Sequence, residues 1–509
     1  MSQKRFLLIV AIGVLLAATI PYLAALLPGN NQQFGGFLIN PIDGHSYLSK
    51  MQEGYRGEWK FTLPYTAEQG QGAFLFLFYL ALGHLARVVQ LPLLVIFHGA
   101  RIAGAAVLIW AVSRLTKSIF GSSWNRKIAY FLILIGSGLG WLAVLAGLFT
   151  SDFWVAEAFP VLSMYTNPHF SLGLGLIILS ILPGGNKPFL DKILLGLGVA
   201  VVQPFGVGIV CLVLFGDGLL LFTDEKPDWL NIYKSDKIRG LAGFGLSGGA
   251  VLIYQVWAIL NDPLLAAWHA QNQTPTPNLT DLMISFSPAL ILAVLGIRIA
   301  WKRPAARKLV IWAGVSMILV FVPWSLQRRF LTGIYVPLAA LSVFGLNWLS
   351  ERIDVEKNFL ASVLLILSLP TNIIVVTSGI QAGLTQDQQV FIDPDSLSAL
   401  NWIKENASQN ALVVAEQEMG LYIPSLTGRR VVYGHPFETV SAEKEKGFLA
   451  SFFYQVHPAN YYQQSLRERD VDYVLLSENA SSTLRTWLEE NWVLVFRAGD
   501  REIYQRQAR

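Results

Sequence analysis

The feature that most constrains this chain is an unbroken apolar run. From Phe6 to Leu27 there is no charged residue. A bilayer core is crossed by roughly 20 such residues. Runs of similar character recur near 91–113, 128–150, 168–183, 189–205, 206–222, 240–261, 283–300, 308–326, 331–349 and 359–379. Only 14% of the residues are charged, and the mean hydropathy is +0.47. A soluble domain carries about 25% charged residues. The expectation is a polytopic α-helical membrane protein with about 11–13 membrane helices.

Lys4 and Arg5 precede the first run, which is longer than the roughly 7–15 apolar residues of a cleaved signal peptide. It is read as an uncleaved anchor with a cytoplasmic N-terminus. Short loops rich in cations are expected on the same side. These hold Arg114, Lys117, Arg126 and Lys127; then Lys226, Lys234, Lys237 and Arg239; then Lys302, Arg303, Arg307 and Lys308. The resulting topology leaves the C-terminus outside, in a multi-pass plasma-membrane protein. It also leaves the apolar piece 73–88 unable to span, so that piece is expected to be re-entrant or interfacial. The net charge of +4 belongs to those loops rather than to a nucleic-acid site. The single cysteine, Cys211, excludes an intrachain disulfide.

Near Asp393 the composition changes. Charges become frequent and apolar runs shorten to strand length. Helices are expected at 396–406, 440–454 and 484–490, and strands at 411–415, 430–433, 471–476 and 492–496. The expected division is a membrane domain, 1–388, with a long first outer loop, 28–72, followed by an extracytoplasmic α/β domain, 389–509.

The cation bias places one set of polar residues at the outer side. Asp43, in Asn40-Pro41-Ile42-Asp43-Gly44-His45, is the candidate catalytic base. A carboxylate can take the proton of an acceptor hydroxyl as it attacks a sugar carbon. One carboxylate suffices when the leaving group is already good, such as a lipid phosphate; the paired acids of glycoside hydrolases are then unnecessary. Glu68 and Glu157 are candidates to support that acid or to hold a divalent metal, and the sequence leaves metal dependence open. Arg328 and Arg329, at the outer end of a span, suit a phosphate or pyrophosphate. Arg101 and His169 are candidate supports for that phosphate. His45, Tyr47, Tyr65, Gln203, Trp268, Gln271 and Asn272 are candidate contacts to sugar or acceptor.

Two patterns are discounted. Gly243-Phe244-Gly245-Leu246-Ser247-Gly248 fits a dinucleotide fingerprint but lies in an apolar span with no strand before it. Helix packing through small residues explains it better. No Walker, H-E-x-x-H or G-x-S-x-G motif occurs.

The Asp43 segment, the Arg328-Arg329 pair and the overall layout resemble the GT-C superfamily of polytopic glycosyltransferases. The resemblance is nearest to the prokaryotic branch of protein mannosyltransferases and lipid A aminoarabinose transferases. It implies that Asp43 matches the loop acid serving as base, and that Arg328 and Arg329 match a site for a lipid carrier's phosphate. The implied activity is inverting transfer from a polyprenyl-phosphate sugar to an extracytoplasmic hydroxyl on a glycan, lipid or protein. A transporter or flippase of a lipid-linked or polar solute is the alternative. The Trp-Trp-Asp motif of oligosaccharyltransferases is absent. Gly70-Gln71-Gly72-Ala73 stands where the aminoarabinose branch often has a Pro-Pro pair.

Overall fold

The computed structural model describes residues 2–29, 31–221 and 234–507. Lys226, assigned above to an inner loop, lies outside the described residues. Each apolar run of the sequence is built around a helix. Five helices are long and apolar enough to cross a membrane: Gln3–Ala25, Leu93–Ile119, Ser123–Val144, Asp236–Asn261 and Lys357–Thr385. Leu279–Phe286 and Ala289–Trp301 form a sixth candidate, bent by 79°. The protein is a multi-pass membrane protein.

The remaining runs make shorter helices, and proline is the reason in several. Pro168, Pro188 and Pro304 each stand in the first turn of a helix. A proline lacks the N–H that would continue a helix from upstream, so each one marks a start. The helices Pro168–Ile181, Pro188–Val202 and Phe205–Leu219 are therefore 14 or 15 residues long. Runs that look like whole spans by hydropathy are thus partial ones in the structure.

Chain contacts divide the protein into two compact units. The first comprises Met1–Ala24, His98–Tyr254 and Gln273–Gln381. Its central helix, Tyr335–Ile353, is buried without a break from Tyr335 to Leu346. A helix apolar all round must be covered on every side. Ala289–Trp301, Ser123–Ile135 and Pro304–Leu319 are among its neighbours. The discounted glycine pattern is helical here. Gly243 packs on Phe189 and Gly248 on Gly196 of the helix Pro188–Val202.

The second unit comprises Ala25–Phe97, Gln255–Asn272 and Ala382–Arg509. Its five-stranded sheet runs in the order Arg430–Val431, Leu412–Ala415, Tyr473–Leu476, Arg501–Gln505, Val493–Ala498. The first three strands are parallel and the last two antiparallel. Apolar clusters cover both faces, one around Phe452, Tyr462 and Leu488, the other around Leu400, Ile403 and Ile423. All seven elements expected from periodicity are present. Helices Gln417–Tyr422 and Ala459–Glu468 and strand Arg501–Gln505 were not expected. The missed strand opens on Arg501 and Glu502, charges that hide its alternation.

The segment read as a long polar loop contains the 16-residue helix Pro41–Arg56. Asn40 precedes it in the left-handed region, with φ 49°, and Pro41 opens its first turn. Leu77–Val89 packs against it. Thirteen residues rise only about 20 Å, too little for a bilayer core of about 30 Å. The two helices touch at Gly54 and Gly83. A β-carbon on Gly54 would strike the Leu80 carbonyl, and one on Gly83 the Met51 carbonyl.

Candidate functional site

Helix Pro41–Arg56 carries its polar residues on one face. His45, Ser46, Ser49, Lys50 and Glu53 are all buried. They recur at the three- and four-residue steps that define one side of a helix. Burying such groups is costly unless each finds a partner; Ser49 donates to the Ser46 carbonyl and Glu53 accepts from Thr62, while the partners of His45, Ser46 and Lys50 come from the far end of the chain. Lys50, fully buried, places Nζ 2.5 Å from Glu438 Oε1 and 2.8 Å from Ser46 Oγ. The ammonium also stands 4.5 Å from the centre of the Phe76 ring. Ser46 donates to the same Glu438 oxygen at 2.5 Å. Burial pushes the Glu438 carboxyl upward, but Lys50, His435 and Ser46 together hold it below its ordinary value. Glu438 Oε2 is buried without a hydrogen-bond partner among the described residues.

Asp43 lies in the first turn of that helix, where exposed N–H groups favour a negative charge. Its side chain is 31% exposed. Asn40 Nδ2 donates to Asp43 Oδ2 at 2.5 Å. Asp43 Oδ1 lies 4.0 Å from His435 Nε2. His435 is buried, and burial lowers its pKa despite the nearby carboxylates Glu438 and Asp43.

The other expected contacts in this unit fall into two groups. His45 Nδ1 is 2.9 Å from Ser425 Oγ, and its ring meets Phe37 and Tyr422 edge-on. Burial brings its pKa down to about 3, so the imidazole is neutral. Tyr65 donates to the Leu421 carbonyl at 3.1 Å and packs 5.5 Å from the His435 ring. Tyr47 stacks on Tyr79. Trp268 packs against Phe61 and Phe76. Gln271 donates to the Thr439 carbonyl and accepts from Ser441 N, while Asn272 reaches the Phe437 carbonyl at 3.5 Å. Asp43, Tyr65, Gln271 and Asn272 thus gather around the 435–441 segment. Glu68 is exposed.

The remaining expected residues lie in the first unit. Glu157 is buried and accepts from Arg329 Nη1 at 3.2 Å, with Arg328 Nε at 3.9 Å. Arg328 also stands over the Trp154 ring at 4.8 Å. Gln203 reaches Thr332 Oγ1 at 3.4 Å, close in sequence to the arginines. Arg101 is engaged elsewhere, donating to the carbonyls of Ala18 and Met164 and stacking over Tyr22. His169 packs on Phe170. Two arginines sharing one carboxylate keep a net positive charge there.

Sequence reasoning missed Lys50, His435 and Glu438. The signal was His435-Pro436-Phe437-Glu438-Thr439, an acid and a histidine three residues apart following a strand. Among the described residues, no three His, Cys, Asp or Glu side chains converge to hold a metal.

No protein-family model and no curated protein matches the chain. Solved structures do. An Archaeoglobus fulgidus oligosaccharyltransferase in complex with Zn and sulfate aligns with TM-score 0.55 and 14% identity, over 96% of this chain and 71% of that one. The archaeal oligosaccharyltransferase AglB from Archaeoglobus fulgidus, in complex with an inhibitory peptide and a dolichol-phosphate, aligns with TM-score 0.56 and 13% identity, over 99% of this chain and 74% of that one. The arabinofuranosyltransferase AftD from Mycobacteria aligns with TM-score 0.53 and 15% identity, over 100% of this chain and 42% of that one. At these identities the likeness concerns the fold, which is the GT-C fold of membrane glycosyltransferases.

Proposed function

We propose that this protein is an inverting glycosyltransferase that moves a sugar from a polyprenyl-phosphate donor to an extracytoplasmic hydroxyl. The observation that carries the reading is the setting of Asp43 within a GT-C fold. It is a partly exposed carboxylate on the first turn of a helix, with Oδ2 held by Asn40 and Oδ1 4.0 Å from His435 Nε2. In the proposed reaction the acceptor oxygen attacks the anomeric carbon and its proton passes to Asp43. The bond from the anomeric carbon to the phosphate oxygen breaks, and the electron pair stays on the phosphate. A lipid phosphate leaves without protonation, so one carboxylate is enough.

Arg328 and Arg329 are the proposed holders of the donor phosphate, because a guanidinium fork matches phosphate oxygens. Glu157 then keeps both side chains extended until the phosphate arrives. AglB, whose structure carries a dolichol-phosphate, supports a lipid-phosphate ligand for this fold. The proposed setting is a plasma membrane with the 389–509 region outside.

The test is transfer from radiolabelled polyprenyl-phosphate sugars by the purified chain in liposomes, beside Asp43→Asn. Loss of transfer in the variant supports the reading. Wild-type turnover by Asp43→Asn removes Asp43 from the reaction. Mass spectrometry of lipid-linked sugars in a deletion strain identifies the sugar.

A further inference from the structure

His435 is held more tightly than packing alone requires. Its Nδ1 accepts the backbone N–H groups of Phe437 and Glu438, both at 3.1 Å. Thr439 N donates to the His435 carbonyl at 3.0 Å, and Thr439 Oγ1 accepts from His435 N at 3.3 Å. Lys50 pins the same turn through Glu438. A neutral imidazole has one donor and one acceptor nitrogen. With Nδ1 accepting twice, the proton must sit on Nε2. That Nε2–H is buried and has no hydrogen-bond partner among the described residues.

A buried donor without an acceptor costs roughly 1–3 kcal/mol. The anion in front of it is Asp43, whose Oδ1 is 4.0 Å away. Asp43 is half-exposed and tethered on its other oxygen alone, so a small rotation of its side chain closes the gap to about 2.9 Å. The charged and titratable groups facing His435 are Glu438, Asp43 and Lys50, with the Tyr65 ring packed beside it. Glu438 Oε1 is already taken by Lys50 and Ser46, and the carboxylate within 4.0 Å of His435 Nε2 is that of Asp43, not Glu438. His435 Nε2 is too enclosed to meet a substrate directly, which leaves Asp43 as the group it serves.

We propose that His435 is a positioning residue for Asp43: its Nε2–H donates to Asp43 Oδ1, and with Asn40 on Oδ2 it fixes the carboxylate plane toward the acceptor hydroxyl. The catalytic part rests on the glycosyltransferase reading; the hydrogen bond does not. His435 stays neutral throughout and transfers no proton. Its task is to hold the base ionised and oriented, as second-sphere groups do for other reactive side chains.

The experiment follows the Asp43 carboxyl by NMR in the full chain, with isotope-labelled aspartate and assignment by Asp43→Asn. It compares wild type, His435→Ala and His435→Gln. At neutral pH the carboxyl carbon resonance reports the hydrogen bonds its oxygens accept, so His435→Ala displaces the Asp43 resonance. His435→Gln, which keeps an N–H of similar reach, stays near wild type. The transfer rate falls in His435→Ala and recovers in His435→Gln. A resonance unchanged in both variants overturns the assignment, whether or not the chain transfers sugar. Absence of transfer by wild type, with the NMR shift present, overturns the glycosyltransferase reading and leaves the hydrogen bond standing. Thermal melting of both variants separates a displaced resonance from a misfolded sample.

Discussion

Lys50 Nζ lies 2.5 Å from Glu438 Oε1, joining residues 388 positions apart in the chain. Both groups are buried, so their attraction is little screened while their desolvation is costly. Removing one partner leaves an uncompensated charge. Lys50→Met or Glu438→Gln alone is expected to cost about 3–5 kcal/mol. The double variant is expected to regain much of that loss. Thermal unfolding of the four proteins in detergent checks the cycle. Equal losses from the singles and the double, with nothing regained, would show that the pair matters through packing and not through charge.

Glu53 and His45 set opposite pH slopes. Burial, against hydrogen bonds from Thr62 and the charges of Arg56 and Lys50, raises Glu53 from 4.5 to about 7. The folded chain then binds more protons than the unfolded chain between those values, so this group makes stability fall as pH rises from about 4.5 to about 7. His45 is lowered from 6.5 to about 3 by burial. There the unfolded chain binds more protons, and stability falls as pH drops from about 6.5 to about 3. Glu53→Gln is expected to remove the first slope, on the order of 3 kcal/mol across the window. His45→Gln is expected to flatten the second. Denaturant midpoints measured across pH for each variant distinguish the two.

Glu157 sits against the arginine pair, 3.2 Å from Arg329 and 3.9 Å from Arg328. If a carrier phosphate takes those guanidinium groups, Glu157 competes with it. Glu157→Gln should then tighten binding of undecaprenyl phosphate, and Arg329→Ala should weaken it about tenfold. Equilibrium binding in nanodiscs reads both. Affinity unchanged in both variants would assign the cluster to structure alone.

Gly54 and Gly83 let two helices of the second unit touch backbone to backbone. An added methyl meets a carbonyl at either place and must push the helices apart. Gly83→Ala is expected to lose about 1–3 kcal/mol of stability. Gly447, on the helix Ala442–Tyr454, has open space around its β-position. Gly447→Ala should therefore be neutral or stabilising by up to about 1 kcal/mol. Melting temperatures of the two variants give the comparison, and a Gly83→Ala protein as stable as wild type would refute the close contact.

What the sequence determined by itself is what short-range chemistry can carry. Apolar runs made helices, because a backbone in lipid must satisfy its own hydrogen bonds. The alternation beyond Asp393 made strands and helices, because period sets the buried face. Tertiary structure decided the rest. Helix Pro41–Arg56 reads as a polar loop because its buried face is made of His45, Ser46, Ser49, Lys50 and Glu53, and the partners of His45, Ser46 and Lys50 lie some 380 residues or more away in the chain. Ser425, His435 and Glu438 flank the strand Arg430–Val431, which pairs parallel with Leu412–Ala415, and they meet that helix only in the folded chain. Glu157, a candidate in the sequence for a supporting acid or metal ligand, is set by the fold beside Arg328 and Arg329. Charge and hydropathy report which environment a residue needs; only the folded chain selects which distant group supplies it.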